Sequence, residues 1–186
     1  MQKVFLCCKH PDEEIMELGL ECLRDIAVQE YESVQYYFLE ICKVTEAATH
    51  STSSKVGAMA FEFWSTFAEE EIERKSNGDD FKNYIEPAKT ELITMILQGL
   101  TVINFEEGED DDDWGHALSA AFSLQMMAQL LENHVLGPVV QFVTANITKP
   151  DWQSKYSSLI ALGSITEGPD KQQFLEVIVQ AFQNLL

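Results

Sequence analysis

Ser53-Ser54-Lys55-Val56-Gly57-Ala58-Met59-Ala60-Phe61-Glu62-Phe63-Trp64-Ser65-Thr66-Phe67 sets out a pattern that the chain uses four times. A residue able to cap a helix, Ser53, is followed seven positions later by a small one, Ala60. Large apolar residues then fall at offsets of eight, eleven and fourteen: Phe61, Trp64 and Phe67. Asp12, Asp113 and Asp151 open equivalent stretches. Their small residues are Gly19, Ala120 and Ser158, followed by Leu20, Ala121 and Leu159 at offset eight. Leu23, Leu124 and Leu162 stand at eleven, and Ile26, Met127 and Ile165 at fourteen. Each offset has a physical use. The cap satisfies amide groups orphaned at a helix start, the small residue admits a neighbouring helix, and the apolar positions share one face.

The four starts lie 41, 60 and 38 residues apart. Two of these intervals suit a two-helix repeat of the HEAT or armadillo kind. The long one contains the Asn77-Gly78 loop and an acidic run. A simple helix bundle does not require matched offsets, so the expected fold is all-α, a HEAT-repeat α-solenoid (armadillo-like superhelix) of about four to five repeats. Residues 1–186 are expected to be a single such segment, with an acidic loop at 104–113 inside one repeat. Met1 to Lys9 reads as an incomplete unit, and the helix from Phe174 to Leu186 ends on an apolar face. The chain therefore reads as an excerpt or a truncated relative of a longer array, weakly stable alone because each unit is held by its neighbours.

Around this register, helices are expected over Val4–Lys9, from Pro11-Asp12 onward, over Tyr31–Ala48, and from Ser53 to about Lys75. Between Phe81 and Ile103 a face of helical period runs through Ile85, Ala88, Leu92, Met95, Ile96, Gly99, Leu100 and Ile103, with Pro87 marking the true helix start. Further helices are expected near 113–132, 135–148, 151–166 and 170–186. No alternating run suggests a hairpin.

Apolar residues make up 46% of the chain and charged residues 23%, with a formal charge of −19. The composition is globular, and the charge argues against nucleic acid or an anionic membrane as a direct ligand. It favours a basic partner. The four cysteines, Cys7, Cys8, Cys22 and Cys42, form no C-x-x-C pair and read as free thiols in a reducing compartment. No apolar stretch is long enough to span a membrane, and a cytosolic or nuclear setting is expected. His10, His50, His116 and His134 are scattered without zinc-ligand spacing, and phosphate-binding and nucleophile-elbow motifs are absent. No enzyme, metal or cofactor is expected.

The sharpest chemical feature is Glu106-Glu107-Gly108-Glu109-Asp110-Asp111-Asp112-Asp113-Trp114, in which seven carboxylates fall in eight residues. Such runs are usually solvated linkers, but this one falls between two helices of a single unit. Trp114 at its end suits exposure, whereas Trp64 at a shared core offset and Trp152 after a cap suit packing. Glu69-Glu70-Glu71 sits near an expected helix C-terminus, where acids oppose the dipole, and hints at another use.

Three segments together resemble the importin-β (karyopherin-β) family of nuclear transport receptors: Glu62-Phe63-Trp64-Ser65 with Glu69-Glu70-Glu71, Asp110-Asp111-Asp112-Asp113-Trp114, and Pro150-Asp151-Trp152 with Glu167-Gly168-Pro169. The resemblance implies a transport receptor segment whose concave face binds a basic helix, the importin-β-binding domain of importin-α or a basic cargo, and the Ran GTPase in its GTP form. On that basis Asp110, Asp111, Asp112 and Asp113 form the acidic loop, Trp114 stacks on the basic helix, and Glu62 and Glu69, seven apart on one helix face, add acidic contacts. The resemblance also implies an outer-face site for phenylalanine–glycine (FG) nucleoporins around Val4, Cys8, Ile41 and Val44. It places the protein in the cytoplasm and nucleus and at the nuclear pore. The rival reading is a HEAT or armadillo scaffold of phosphatase-scaffold type, with no transport role, whose acidic loop only maintains solubility. An acid–base enzyme on a helical fold is the third.

Overall fold

A computed structural model describes residues 1–103 and 115–183, with side chains through 179. Nine helices follow one another among them: α1 (Gln2–Cys7), α2 (Glu13–Gln29), α3 (Phe38–Thr49), α4 (Ser54–Asn77), α5 (Lys89–Gly99), α6 (Gly115–Leu131), α7 (Leu136–Asn146), α8 (Trp152–Ser164) and α9 (Lys171–Gln183). Consecutive helices pair, α1 with α2, α3 with α4, α5 with α6 and α7 with α8. The even-numbered helices also pack in order along one layer, as α3, α5, α7 and α9 do along the other. Two layers of antiparallel pairs stacked in sequence order are a HEAT-repeat solenoid. One continuous apolar core runs from Phe5 to Ile165.

The capping residues act as the register requires. Asp12 accepts from the Glu14 and Ile15 amides, Ser53 from Val56, and Asp151 from Ser154. Asp113 lies outside the described residues. All four small positions, Gly19, Ala60, Ala120 and Ser158, are buried. At Gly19 the reason is close approach, since a Cβ there would lie 2.7 Å from the Cys8 amide nitrogen. Leu20, Leu23, Phe61, Trp64, Phe67, Leu124, Met127 and Ile165 are core residues, and Ile26, Ala121 and Leu162 are partly buried.

Three expectations need correction. Leu159 is 58% exposed, because α8 lies on α6 and α7 through a face of Ser157, Ser158, Ala161 and Ile165. Trp152, expected to be packed, is 47% exposed and meets the Tyr156 ring edge-on. The stretch from Tyr31 is not one helix. A 3-10 turn over Tyr31–Tyr36 precedes α3, because the buried Tyr31 hydroxyl reaches across to Glu71 on α4. The helix start expected at Pro87 is found there: the stretch from Phe81 turns helical at a 3-10 turn over Glu86–Ala88, and its earlier residues lie against α4. At the other end of α4, Gly78 takes a left-handed conformation at φ 74° and stops the helix.

Gly168 fixes the approach to α9. Its φ is +104°, and a Cβ would stand 2.1 Å from the Ala128 carbonyl oxygen. Gly168→Ala is expected to destabilise the chain by about 1–3 kcal/mol, the usual range for a forced backbone conformation. Urea denaturation checks this, and unchanged stability would show that the α8–α9 turn relaxes freely.

Candidate functional site

The layer of α2, α4, α6 and α8 presents its outer strips on one side. On α4 that strip follows the helical period through Lys55, Met59, Glu62, Thr66, Glu69 and Glu73, opposite the buried Ala60, Trp64 and Glu71. Glu62 and Glu69 therefore do share a face. Glu62 is partly engaged, since Arg24 on α2 reaches it at 3.5 Å while also pairing with Asp25 at 3.0 Å and Glu21 at 3.6 Å. Among the described residues, neither Glu69 nor Glu73 has an ion-pair partner. The result is a band of carboxylates on α2 and α4 with a single arginine among them.

Asp110, Asp111, Asp112, Asp113 and Trp114 lie outside the described residues. The helices on either side of them in sequence, α5 and α6, pack against each other. The root of α6 is well anchored. His116 is 2% exposed, its imidazole seated against Gly57 and edge-on to the Phe61 ring at 5.1 Å. Burial holds its pKa below the usual histidine value, which keeps the ring neutral at pH 7.

The run Glu69-Glu70-Glu71 meets three different fates within one turn. Glu69 is exposed, Glu70 pairs with Arg74 at 2.6 Å, and Glu71 is fully buried. The Glu71 carboxyl accepts from the Tyr31 hydroxyl at 2.9 Å and from the Tyr84 and Ile85 amides at 2.6 and 3.3 Å. It ties the connection between α4 and α5 to the body of the solenoid. Because α4 continues to Asn77, these acids are not at its end, and the dipole penalty inferred from sequence does not apply.

The other layer carries two apolar grooves. One lies between α1 and α3 and is lined by Gln2, Phe5, Leu6, Lys9, Tyr37 and Glu40, with a volume of about 430 Å³. A Lys9–Glu40 ion pair bridges its rim. The residues expected there from sequence lie deeper: Cys8, Ile41 and Val44 are at most 4% exposed and belong to the core, while Val4 is partly buried. Val4 lines a separate groove between α1 and α2, with Cys7, Leu18 and Cys22. The second groove, between α3 and α5, holds Phe38, Leu39, Cys42, Pro87, Leu92 and Met95, with Glu46 and Glu91 beside them. Burial pushes the Cys8 and Cys42 thiols up to about 11, so both are unreactive at neutral pH. Among the described residues, no group of histidine, cysteine or carboxylate side chains is placed to hold a metal, and no helix is long and apolar enough to cross a membrane.

No family model matches the chain. Individual proteins do. It is 34% identical over its whole length to importin subunit beta-1 of Saccharomyces cerevisiae, of which it covers 22%. With the Schizosaccharomyces pombe protein of the same name the identity is 29%, again over the whole chain and 23% of that protein. Among solved structures, one in which Kap95p binding induces the switch loops of RanGDP to adopt the GTP-bound conformation matches 99% of the chain and 22% of its own, with a TM-score of 0.88 and 32% identity. A Kap95:Nup1 complex matches with the same score and identity, over all of this chain and 22% of its own. The chain thus spans a little over a fifth of the relatives it matches. With its paired layers, its repeat register and these likenesses, it is an importin-β-type segment of HEAT repeats.

Proposed function

We propose that this chain acts as part of a nuclear protein import receptor and works by binding rather than by catalysis. The observation that carries the reading is the strip of Glu62, Glu69 and Glu73 along α4, on the layer into which the acidic run leads. Its partner is a basic helix, the importin-β-binding domain of importin-α or a basic cargo, with the Ran GTPase in its GTP form competing for the same surface. Asp110 to Asp113 supply the densest charge, and Trp114 stacks on an aliphatic or cationic side chain. Single exposed ion pairs contribute only about 0–1 kcal/mol each. The effect comes from the field of the whole cluster, which raises the encounter rate and makes binding steeply dependent on salt.

The opposite layer fits FG nucleoporin contacts. The α1–α3 groove offers Phe5, Leu6 and Tyr37 as walls for a phenylalanine ring. A receptor with both faces would operate in the cytoplasm, the nucleus and the pore between them. A purely structural scaffold needs neither surface.

The test is a titration of a labelled importin-β-binding helix, and separately of Ran·GTP, against the chain and a variant with Asp110, Asp111, Asp112 and Asp113 changed to Asn. Affinity should fall at least tenfold in the variant, with a flatter salt dependence; ten is about 1.4 kcal/mol. Equal affinity for both proteins would reject the electrostatic mechanism, and absence of binding to either ligand would favour the scaffold.

A further inference from the structure

The outer face of the even-numbered layer is not acidic throughout. Where α4 presents Glu62, Thr66, Glu69 and Glu73, the neighbouring α6 presents Leu118, Phe122, Gln125 and Gln129. Leu118 and Phe122 stand one turn apart and are 53% and 45% exposed. Helix α6 is flanked by α4 and α8 and backed by α5. Both of its stacking sides are therefore occupied, and further repeats added at either end of the array would leave these two side chains uncovered. Leu159 on α8, also exposed, adds to the apolar side of the face. Large apolar groups held in water on an interior helix mark a contact surface better than scattered ones do.

We infer that this face selects an amphipathic basic helix, seated with an apolar stripe on Leu118 and Phe122 and its lysines and arginines over Glu62, Glu69 and Glu73. The inference rests on the basic-helix reading above and adds what distinguishes one basic segment from another. Packed helices lie about 8–10 Å apart, so a helix about 10 Å wide laid along the junction of α4 and α6 touches both strips at once. An extended lysine-rich segment satisfies the carboxylates but leaves Phe122 wet. A second copy of this chain is disfavoured by its own charge of −19, which repels a like surface. The complementary partner is positive on one side and apolar on the other.

Two synthetic peptides of about 20 residues, long enough to span several helical turns, provide the probe. Both carry the same number of lysines in the same positions. One has leucines spaced four apart along a single face, and the other has glutamines there. Each is labelled and titrated into the full chain at low and high salt. The leucine peptide should bind about tenfold more tightly, the effect expected for partial burial of two large side chains. The double variant Leu118→Ser, Phe122→Ser should lose that preference and keep the salt dependence, whereas Glu62→Gln, Glu69→Gln, Glu73→Gln should flatten the salt dependence and keep the preference. Both sets of positions are surface residues, and circular dichroism checks that the variants fold. Equal binding of the two peptides by the parent chain, or a preference that survives in the serine variant, overturns the inference and leaves the electrostatic reading standing. Failure of both peptides to bind at low salt overturns both.

Discussion

Glu71→Leu is expected to lower stability by about 3 kcal/mol or more, the scale for leaving several buried donors without an acceptor. The substitution removes the acceptor for the Tyr31 hydroxyl and for the Tyr84 and Ile85 amides. Two effects oppose each other. A carboxyl that is 0% exposed carries a desolvation penalty, which leucine relieves. The three donors, however, were folded around an acceptor, and the segment from Lys82 to Ile85 has no other anchor of this kind against α4. The orphaned donors therefore dominate. Glu71→Gln retains one acceptor oxygen and should fall between leucine and the parent.

The pH dependence gives an independent check. Burial raises the Glu71 pKa above the ordinary glutamate value, against the lowering effect of its three hydrogen bonds. A raised folded-state pKa means that the group's contribution is complete below the unfolded value and is lost as pH rises through the folded one. The stability gap between the parent chain and Glu71→Leu should thus be wider at pH 5 than at pH 8. Urea denaturation at the two pH values measures it. A gap under about 1 kcal/mol at both would show that the α4–α5 connection is held by its other contacts, the stacking of Tyr84 on Phe67 and the burial of Ile85.

The repeat was legible because each unit writes its cap, its small residue and its apolar face at fixed distances, and Asp12, Ser53 and Asp151 do cap their helices. Rotational detail was less so. In Glu69-Glu70-Glu71 each residue turns about 100° from the last, and only Tyr31, supplied by the turn before α3, marks which carboxyl goes inside. Leu159 shows the same limit from the other direction: α8 buries its serines and alanine, and no periodicity within one helix reveals that its neighbours have room only for small side chains. The groove residues were misplaced for a related reason. Apolar identity marks Cys8, Ile41 and Val44 as interior, and a groove is lined instead by larger, partly polar residues such as Tyr37, Lys9 and Glu40. The apolar strip of α6 did leave a signal. From Gly115 to Leu131 the helix contains no lysine, arginine, aspartate or glutamate. A helix with no charged side should be buried all round, and one that is not must cover its apolar strip with something else.

Trp64→Ala should destabilise the chain by about 3–5 kcal/mol, as large-to-small changes at buried aromatic positions do. Trp64 is 0% exposed, its indole nitrogen donates to the Thr45 hydroxyl at 3.0 Å, and Phe38, Phe63 and Phe67 meet it edge-on. Alanine empties the junction of α3 and α4 and leaves Thr45 without its donor. Trp64→Phe fills most of the volume and forfeits the hydrogen bond, so about 1–2 kcal/mol is expected. Thermal denaturation orders the three proteins. The same pair separates packing from recognition, because Trp64 and Trp114 are both tryptophans within reach of acidic residues in sequence. Trp64 points toward α3, on the side of α4 opposite Glu62 and Glu69. At a temperature where Trp64→Phe remains folded, its affinity for a labelled basic helix should equal that of the parent chain. Lost affinity with preserved stability would place Trp64 in the contact surface, and the register that aligns it with Leu23 and Leu124 as core would then have been read from the wrong face.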